Sequence, residues 1–344
     1  MTNDQATSYR KVTRSLLIVA VVVVLAVVGL RGRLPSPGDV WDALLRADLG
    51  WVALAAAFQA ASIGAFALQQ RQLLSGLGVR LATHHVFGIV LASTAVAIAV
   101  PAGGVVATAY TVRAYQRVGA TREQALASVV VSGLASIGGL ALLYAGGSLA
   151  LSTTLVRGRP LLTVAGLAVL TVVVLVAGRR YLRGRGPGDR AGDGRVARLM
   201  RSAVASAREA WRAGARISVR DWVVALAYGT VKWLGDLLCL VAAVYALGRG
   251  VNPAALAGIY LSVQIVRQVP LTPGGIGVVE AALIAGLTAA GMDAAGAAAA
   301  VLIYRVLSCW LVVPVGGLAA LALRTGGRRS IAVRGCTEET SSPM

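Results

Sequence analysis

From about residue 50 to residue 323 the sequence is a succession of apolar runs, separated by short breaks that carry arginine or Pro-Gly. Nothing else constrains the chain so strongly. A hydrocarbon core about 30 Å thick takes roughly 20 residues of helix, and backbone at that depth must satisfy its own hydrogen bonds. Runs at about 50–70, 124–147, 160–178, 222–246 and 295–323, with "SLLIVAVVVVLAVVGL" near the start, predict about six transmembrane helices. The fold class is therefore an all-α integral membrane protein. With 57% hydrophobic and 14% charged residues, little remains for a soluble domain. A net charge of +19 would suggest nucleic acid in a soluble protein, but here the arginines lie between apolar runs, where they set topology. Nucleic acid is thus excluded as a partner. Cys239, Cys309 and Cys336 are far apart, with neither a disulfide framework nor a metal-ligand spacing.

The first run follows the basic "YRKVTR" and is followed at once by Arg31 and Arg33, without a small-x-small cleavage site, so it reads as an uncleaved span. A second class of segment is too apolar for a loop and too broken for a helix. "VPLTPGGIGVVEAAL", Val269–Leu283, holds two prolines, a Gly-Gly pair and a lone glutamate. It has a counterpart. Comparing each residue with the one about 171 further on pairs Trp51 with Trp222, Gly64 with Gly235, and Gly103-Gly104 of "PAGG" with Gly274-Gly275 of "TPGG". A constant offset over about a hundred residues marks a duplication.

Loop charges orient the copies. Lys11 and Arg14 place the N-terminus in the cytoplasm, the charge-balanced loop 31–49 goes outside, and Arg71 and Arg80 return inside. Arg113, Arg117 and Arg122 are cytoplasmic too, so the segment around "PAGG" enters and leaves on one side. Nine residues separate Gly104 from Arg113, about 13 Å of helix and close to half the core. This predicts a re-entrant hairpin, although two full crossings give the same parity. The second copy starts inside and runs in the opposite sense, and the tail bearing Arg324 and Arg328 returns to the cytoplasm. Two opposed hairpins in an inverted repeat are the plan of transporters whose sites lie at broken helices near the midplane. The hairpin tips are Pro101, Gly103 and Gly104 in one copy, and Pro270, Pro273, Gly274, Gly275 and Gly277 in the other. A kinked helix without a site is the alternative.

The resulting plan has six parts: 1–49, tail, first span and external loop; 50–150, repeat A; 151–178, linking span; 179–221, Arg-rich cytoplasmic linker; 222–323, repeat B; 324–344, cytoplasmic tail. Within the linker, 195–216 has helical apolar spacing with arginines mostly on other faces, as an inner-leaflet amphipathic helix would. His84-His85 reads as an interfacial pair.

Buried charges locate the candidate site. Each costs about 2.5 to 3.5 kcal/mol at a helix centre, so each needs a partner or a purpose. Lys232 and Asp236, four apart on one helix, suit an intramembrane ion pair. Arg267 precedes the second break, Glu280 follows it, and Arg305 stands in "LIYRVLSCW". If Asp236 neutralises Lys232 and Glu280 holds one arginine, one positive charge remains for an anionic guest. A phosphate suits it, because guanidinium binds phosphate bidentately. Tyr260, Gln264, Gln268 and Tyr304 could complete the pocket. A closed ion-pair network that only locks helices together is the competing reading.

"PLTPGGIGVVEAAL", the mid-helix arginine of "LIYRVLSCW" and the weaker "VPAGG" resemble the transmembrane region of lysylphosphatidylglycerol synthases and their stand-alone flippase-like relatives. The resemblance covers about 50–323 and carries family positions onto Pro273, Gly274, Gly275, Gly277, Glu280 and Arg305. It implies movement of aminoacylated or other anionic phospholipids between leaflets of the cell membrane. Two features depart from the family. The chain ends about twenty residues after its last span, so lysylphosphatidylglycerol synthesis is not expected, and Val105 follows Gly104 where many relatives carry glutamate. The expectation is a lipid transporter with no cofactor and no catalytic constellation. Its phosphate guest would lie between Arg267 and Arg305, with Glu280 holding the arginines when the site is empty. No ATP-binding motif occurs, so coupling is passive, ion-driven or supplied by a partner. The alternative is a membrane subunit or scaffold for a separate lipid-linked glycosyl or aminoacyl transferase, moving nothing itself.

Overall fold

The computed structural model describes residues 36–100, 103–152, 217–248, 250–267 and 273–323. The first span, the 160–178 run, the linker up to residue 216 with its amphipathic segment, the tail, the tip residues Pro101 and Pro270, and the pocket candidate Gln268 lie outside them. Among the described residues every regular element is helical. α1 is Pro37–Leu45, α2 Leu49–Gly76, α3 Thr83–Ala99, α4 Gly103–Arg117 and α5 Arg122–Ser152. They are followed by α6 (Val219–Tyr245), α7 (Pro253–Arg267), a 3-10 turn at Pro273–Gly275, α8 (Val278–Ala289) and α9. α9 is α-helical over Ala294–Arg305, widens into a π turn at Val306–Trp310, and continues to Leu323.

Among the described residues, four helices are long and apolar enough to cross a membrane: Leu49–Gly76, Arg122–Gly147, Val219–Tyr245 and Ala294–Leu323, of 28, 26, 27 and 30 residues. At about 1.5 Å per residue each exceeds a core of about 30 Å. They are four of the six expected spans; the other two lie outside the described residues. α7 and α8, with 15 and 12 residues, are each too short to cross.

The element order repeats: a long helix, a short one, a Pro-Gly break, another short one, and a long one. This order fits α2 to α5 and again α6 to α9. Glycines with positive φ punctuate both copies at matching places, Gly78 (86°) with Gly248 (67°), and Gly119 (98°) with Gly291 (96°). The first helices of the two copies run antiparallel. Ser62 Oγ donates to the Lys232 carbonyl at 2.7 Å, and Gln69 Nε2, seven residues on, donates to the carbonyl of Ala225, seven residues back, at 3.0 Å. Small residues allow this close approach, as is usual where no hydrophobic force drives helices together in lipid. A Cβ on Gly235 would lie 3.0 Å from the Phe58 carbonyl, and one on Gly139 of α5 would lie 2.5 Å from the Thr230 nitrogen of α6.

The chain packs into two compact units that cut across the repeats. The first takes the described residues of 36–57, 98–103 and 237–309. In it α1 packs against α9, Trp51 stacks on Tyr245 at 5.3 Å, and Gly286 of α8 accommodates Ile259 of α7. The stretch 31–49 was expected as a loop, yet Pro37–Leu45 is helical. Ser36 Oγ accepts the Asp39 N–H at 3.1 Å, Pro37 begins the helix, and Asp39 lies in the first turn. The second unit takes the described residues of 58–97, 104–236 and 310–323. Its core includes Leu74, Ile89, Val112 and Tyr115, with a neighbouring cluster of Leu73, Val131 and Ala225.

Candidate functional site

The second Pro-Gly break is built on a left-handed backbone. Gly274, Gly275 and Gly277 have φ of 60°, 70° and 86°. Side chains resist this region by about 1–2 kcal/mol per residue, which accounts for three glycines in four positions. The chain then turns into α8, whose first N–H groups have no partner within the helix. Glu280, in the first turn, reaches back so that its Oε2 accepts the Gly277 N–H at 2.7 Å. Its Oε1 accepts Arg305 Nε at 2.6 Å, and Arg305 Nη2 donates to the Gly274 carbonyl at 3.1 Å. One guanidinium from α9 thereby fastens both the turn and the start of α8.

Burial sets the strength of this fastening. The Arg305 side chain is 2% exposed and that of Glu280 is 22% exposed. A charge buried this deeply is tolerated only while paired and hydrogen-bonded. Glu280 uses both oxygens, one on the turn and one on the guanidinium. Nearby, the charges of Arg305, Arg267 and Glu280 all reach the Cys309 thiol electrostatically. Two cations and one anion thus share a neighbourhood. Arg267 is exposed in the last turn of α7. Tyr260, Gln264 and Tyr304 belong to the same unit and are 1%, 2% and 2% exposed. Pro273 opens the turn; Gln268 and Pro270 lie outside the described residues.

The second break packs against the helix that leads into the first. A Cβ on Gly274 would lie 3.1 Å from Ile98 Cγ2 and 3.3 Å from the Ile98 carbonyl. Ile98 is in the last turn of α3, just ahead of "PAGG". Beyond it the copies differ. Gly103 and Gly104, expected at a tip, lie in the first turn of α4, and Val105 is 75% exposed. Pro101 lies outside the described residues.

Away from this site, Lys232 Nζ lies over the rings of Trp233 and Phe66, at 4.1 and 4.9 Å from their centroids, a cation–π arrangement that pairing by charge alone did not anticipate. Asp236, one turn on, is 7% exposed. Three residues escaped the sequence reading. Gln59, Gln69 and Gln70 of α2 are 8%, 0% and 4% exposed, and the Oε1 of each accepts no hydrogen bond. Their signal was three amides with Ser62 along one face of an apolar run, which hydropathy averages away.

The family described as the lysylphosphatidylglycerol synthase TM region matches residues 14–316. A protein of Methanothermobacter thermautotrophicus described as a UPF0104 membrane protein is 25% identical over 320 residues, covering 86% of this chain and 93% of that protein. With most of the chain matched, four bilayer-length helices and the Pro-Gly-Gly-x-Gly-x-x-Glu turn in place, this membrane protein belongs to the lysylphosphatidylglycerol synthase transmembrane-region family.

Proposed function

We propose that the protein binds an anionic or aminoacylated phospholipid and moves it between the leaflets of the plasma membrane. In this reading the two copies form an inverted repeat with opposed re-entrant hairpins, and both termini are cytoplasmic. The guest phosphate is drawn to Arg305 and Arg267 while its acyl chains stay in the bilayer. The observation that carries the reading is a nearly fully buried arginine fastened across a broken helix, beside the end of α3. Such a charge is expensive in a membrane, and a second cation shares its neighbourhood. The antiparallel first helices of the two copies support the inverted plan.

A second reading is favoured by the same hydrogen bonds. Glu280 satisfies Arg305 and Gly277 together, as a purely structural pin would, and the protein would then be a scaffold for a separate lipid-modifying enzyme. Leaflet exchange of labelled phosphatidylglycerol and lysylphosphatidylglycerol in liposomes separates the two. Exchange above that of empty liposomes, lost in Arg305→Ala and Glu280→Gln at equal incorporation, is the expected outcome. A folded wild type that exchanges none of several anionic lipids, with and without ion gradients, overturns transport in favour of the scaffold.

A further inference from the structure

The second unit contains a groove of about 520 Å³ between the first turns of α3 and the end of α9. That volume falls within the roughly 300–1,000 Å³ typical of small-molecule clefts. Small residues open it, with Gly88 on one helix and Ala319 and Ala322 on the other, while Phe87 and Leu91 make its walls greasy. Its polarity is graded. His84 and His85, both exposed, line one end with ring centroids 4.4 Å apart, and from there to Leu91 the lining is hydrocarbon over about 10 Å of helix.

The imidazole end coincides with helix ends. α3 begins at Thr83 and the spanning helix α9 runs to Leu323, which also lines the groove. Arg80 lies four residues before His84, on the face that the charge distribution assigns to the cytoplasm. The groove therefore opens at helix ends beside a basic segment, and the positive-inside assignment would set the inner-leaflet head groups level with the histidines.

We propose that this groove binds one acyl chain of an anionic phospholipid, whose phosphate accepts hydrogen bonds from His84 and His85. Each imidazole presents at least one N–H in either protonation state, so the pair can donate to a phosphate oxygen whether neutral or charged. The greasy groove holds the chain, and the basic surface selects the anionic head group over a zwitterionic one. This site is independent of transport at the second break; a protein that moves no lipid could still hold one here.

The test uses the full chain in liposomes doped with phosphatidylglycerol or phosphatidylcholine carrying a diazirine on one acyl chain, followed by mapping of the labelled peptides. Labelling at 84–91 and 319–323 at least fivefold higher with the phosphatidylglycerol probe is expected. Ala319→Trp should abolish it there while labelling of other spans persists. Since a tryptophan could disturb packing, His84→Ala with His85→Ala serves as a second variant; it should lower labelling of the groove by both probes, since both lipids carry the phosphate, while labelling of other spans persists. Equal labelling by both probes, or labelling no greater than that of the other spans, overturns the proposal.

Discussion

The two Pro-Gly breaks stand at matching places in a recurring element order, yet they are different devices. In the second, three left-handed glycines, a carboxylate and a buried guanidinium hold the turn, and Gly274 has almost no space beyond its own backbone. In the first, Gly104 would meet nothing within 4 Å if it carried a Cβ, and Val105 is exposed. At the repeat offset, Glu280 corresponds to Ala109 and Arg305 to Gly133 or Leu134, so the first copy lacks both halves of the pin. The element order recurs, but the charged pin stands at the second break. A pin needed merely to hold any Pro-Gly break would be expected in both copies. Its one-sidedness therefore argues for a task specific to the second break.

The largest effect should come from removing half of the pin. Arg305→Ala leaves Glu280 buried without its cation and frees the Gly274 carbonyl, so a loss of about 3–5 kcal/mol is expected, read as a lower midpoint of thermal unfolding in detergent. Replacing both partners, Glu280→Leu with Arg305→Met, should recover part of it. The Gly277 N–H and Gly274 carbonyl still lose their bonds, at about 1–3 kcal/mol each where no water reaches them. If the double variant regains stability and also moves lipid, the pin is structural and the asymmetry between the breaks has no functional meaning.

Next in size is a pair of identical substitutions with opposite signs. Gly274→Ala forces a side chain into a left-handed conformation at about 1–2 kcal/mol and presses its Cβ on Ile98, at 3.1 Å from Cγ2. Gly104→Ala places a methyl group in open space on a helical residue and should stabilise by about 0.5–1 kcal/mol. Equal destabilisation by the two would mean that the first break is held as tightly as the second. A smaller effect is expected from Val105→Glu, which puts a carboxylate at the first break. If the exposed tip lines a wet cavity, the change should be within about 1 kcal/mol; a loss nearer the 2.5 kcal/mol or more of a charge in lipid would place that tip against acyl chains.

The sequence disclosed these elements unequally, for physical reasons. Long apolar helices are dictated by the bilayer, so the four described spans were legible from hydropathy, and the second break declared itself because Pro, Gly and Glu are all costly in such a run. That Glu280 and Arg305 meet was a guess from charge balance, and their link to the Gly274 carbonyl had no sequence signal, since any residue has a carbonyl. The helix at Pro37–Leu45 was written in Ser36, Pro37 and Asp39, but acidic and basic residues in balance there suggested a loop. The aromatic seat of Lys232 was hidden because Phe66 lies in the other copy, 166 residues away.

The same contrast of charge and neutrality extends to the long helices, and here the smallest effect is the most instructive. Where the second copy buries Asp236 beside a half-buried Lys232, the first buries amides on α2. Gln70 Nε2 donates to Ser132 Oγ at 3.0 Å, yet its Oε1 accepts nothing. Gln70→Leu with Ser132→Ala removes one bond worth about 1 kcal/mol together with an unmet acceptor costing about 1–3 kcal/mol, so the unfolding midpoint should stay level or rise slightly. A drop would mean that Oε1 has a partner in the membrane, water or an ion, and that the amides belong to a hydrated path. If stability holds while lipid movement falls, the amides serve movement rather than folding. The first copy would then contribute to function through neutral dipoles, as the second does through charge.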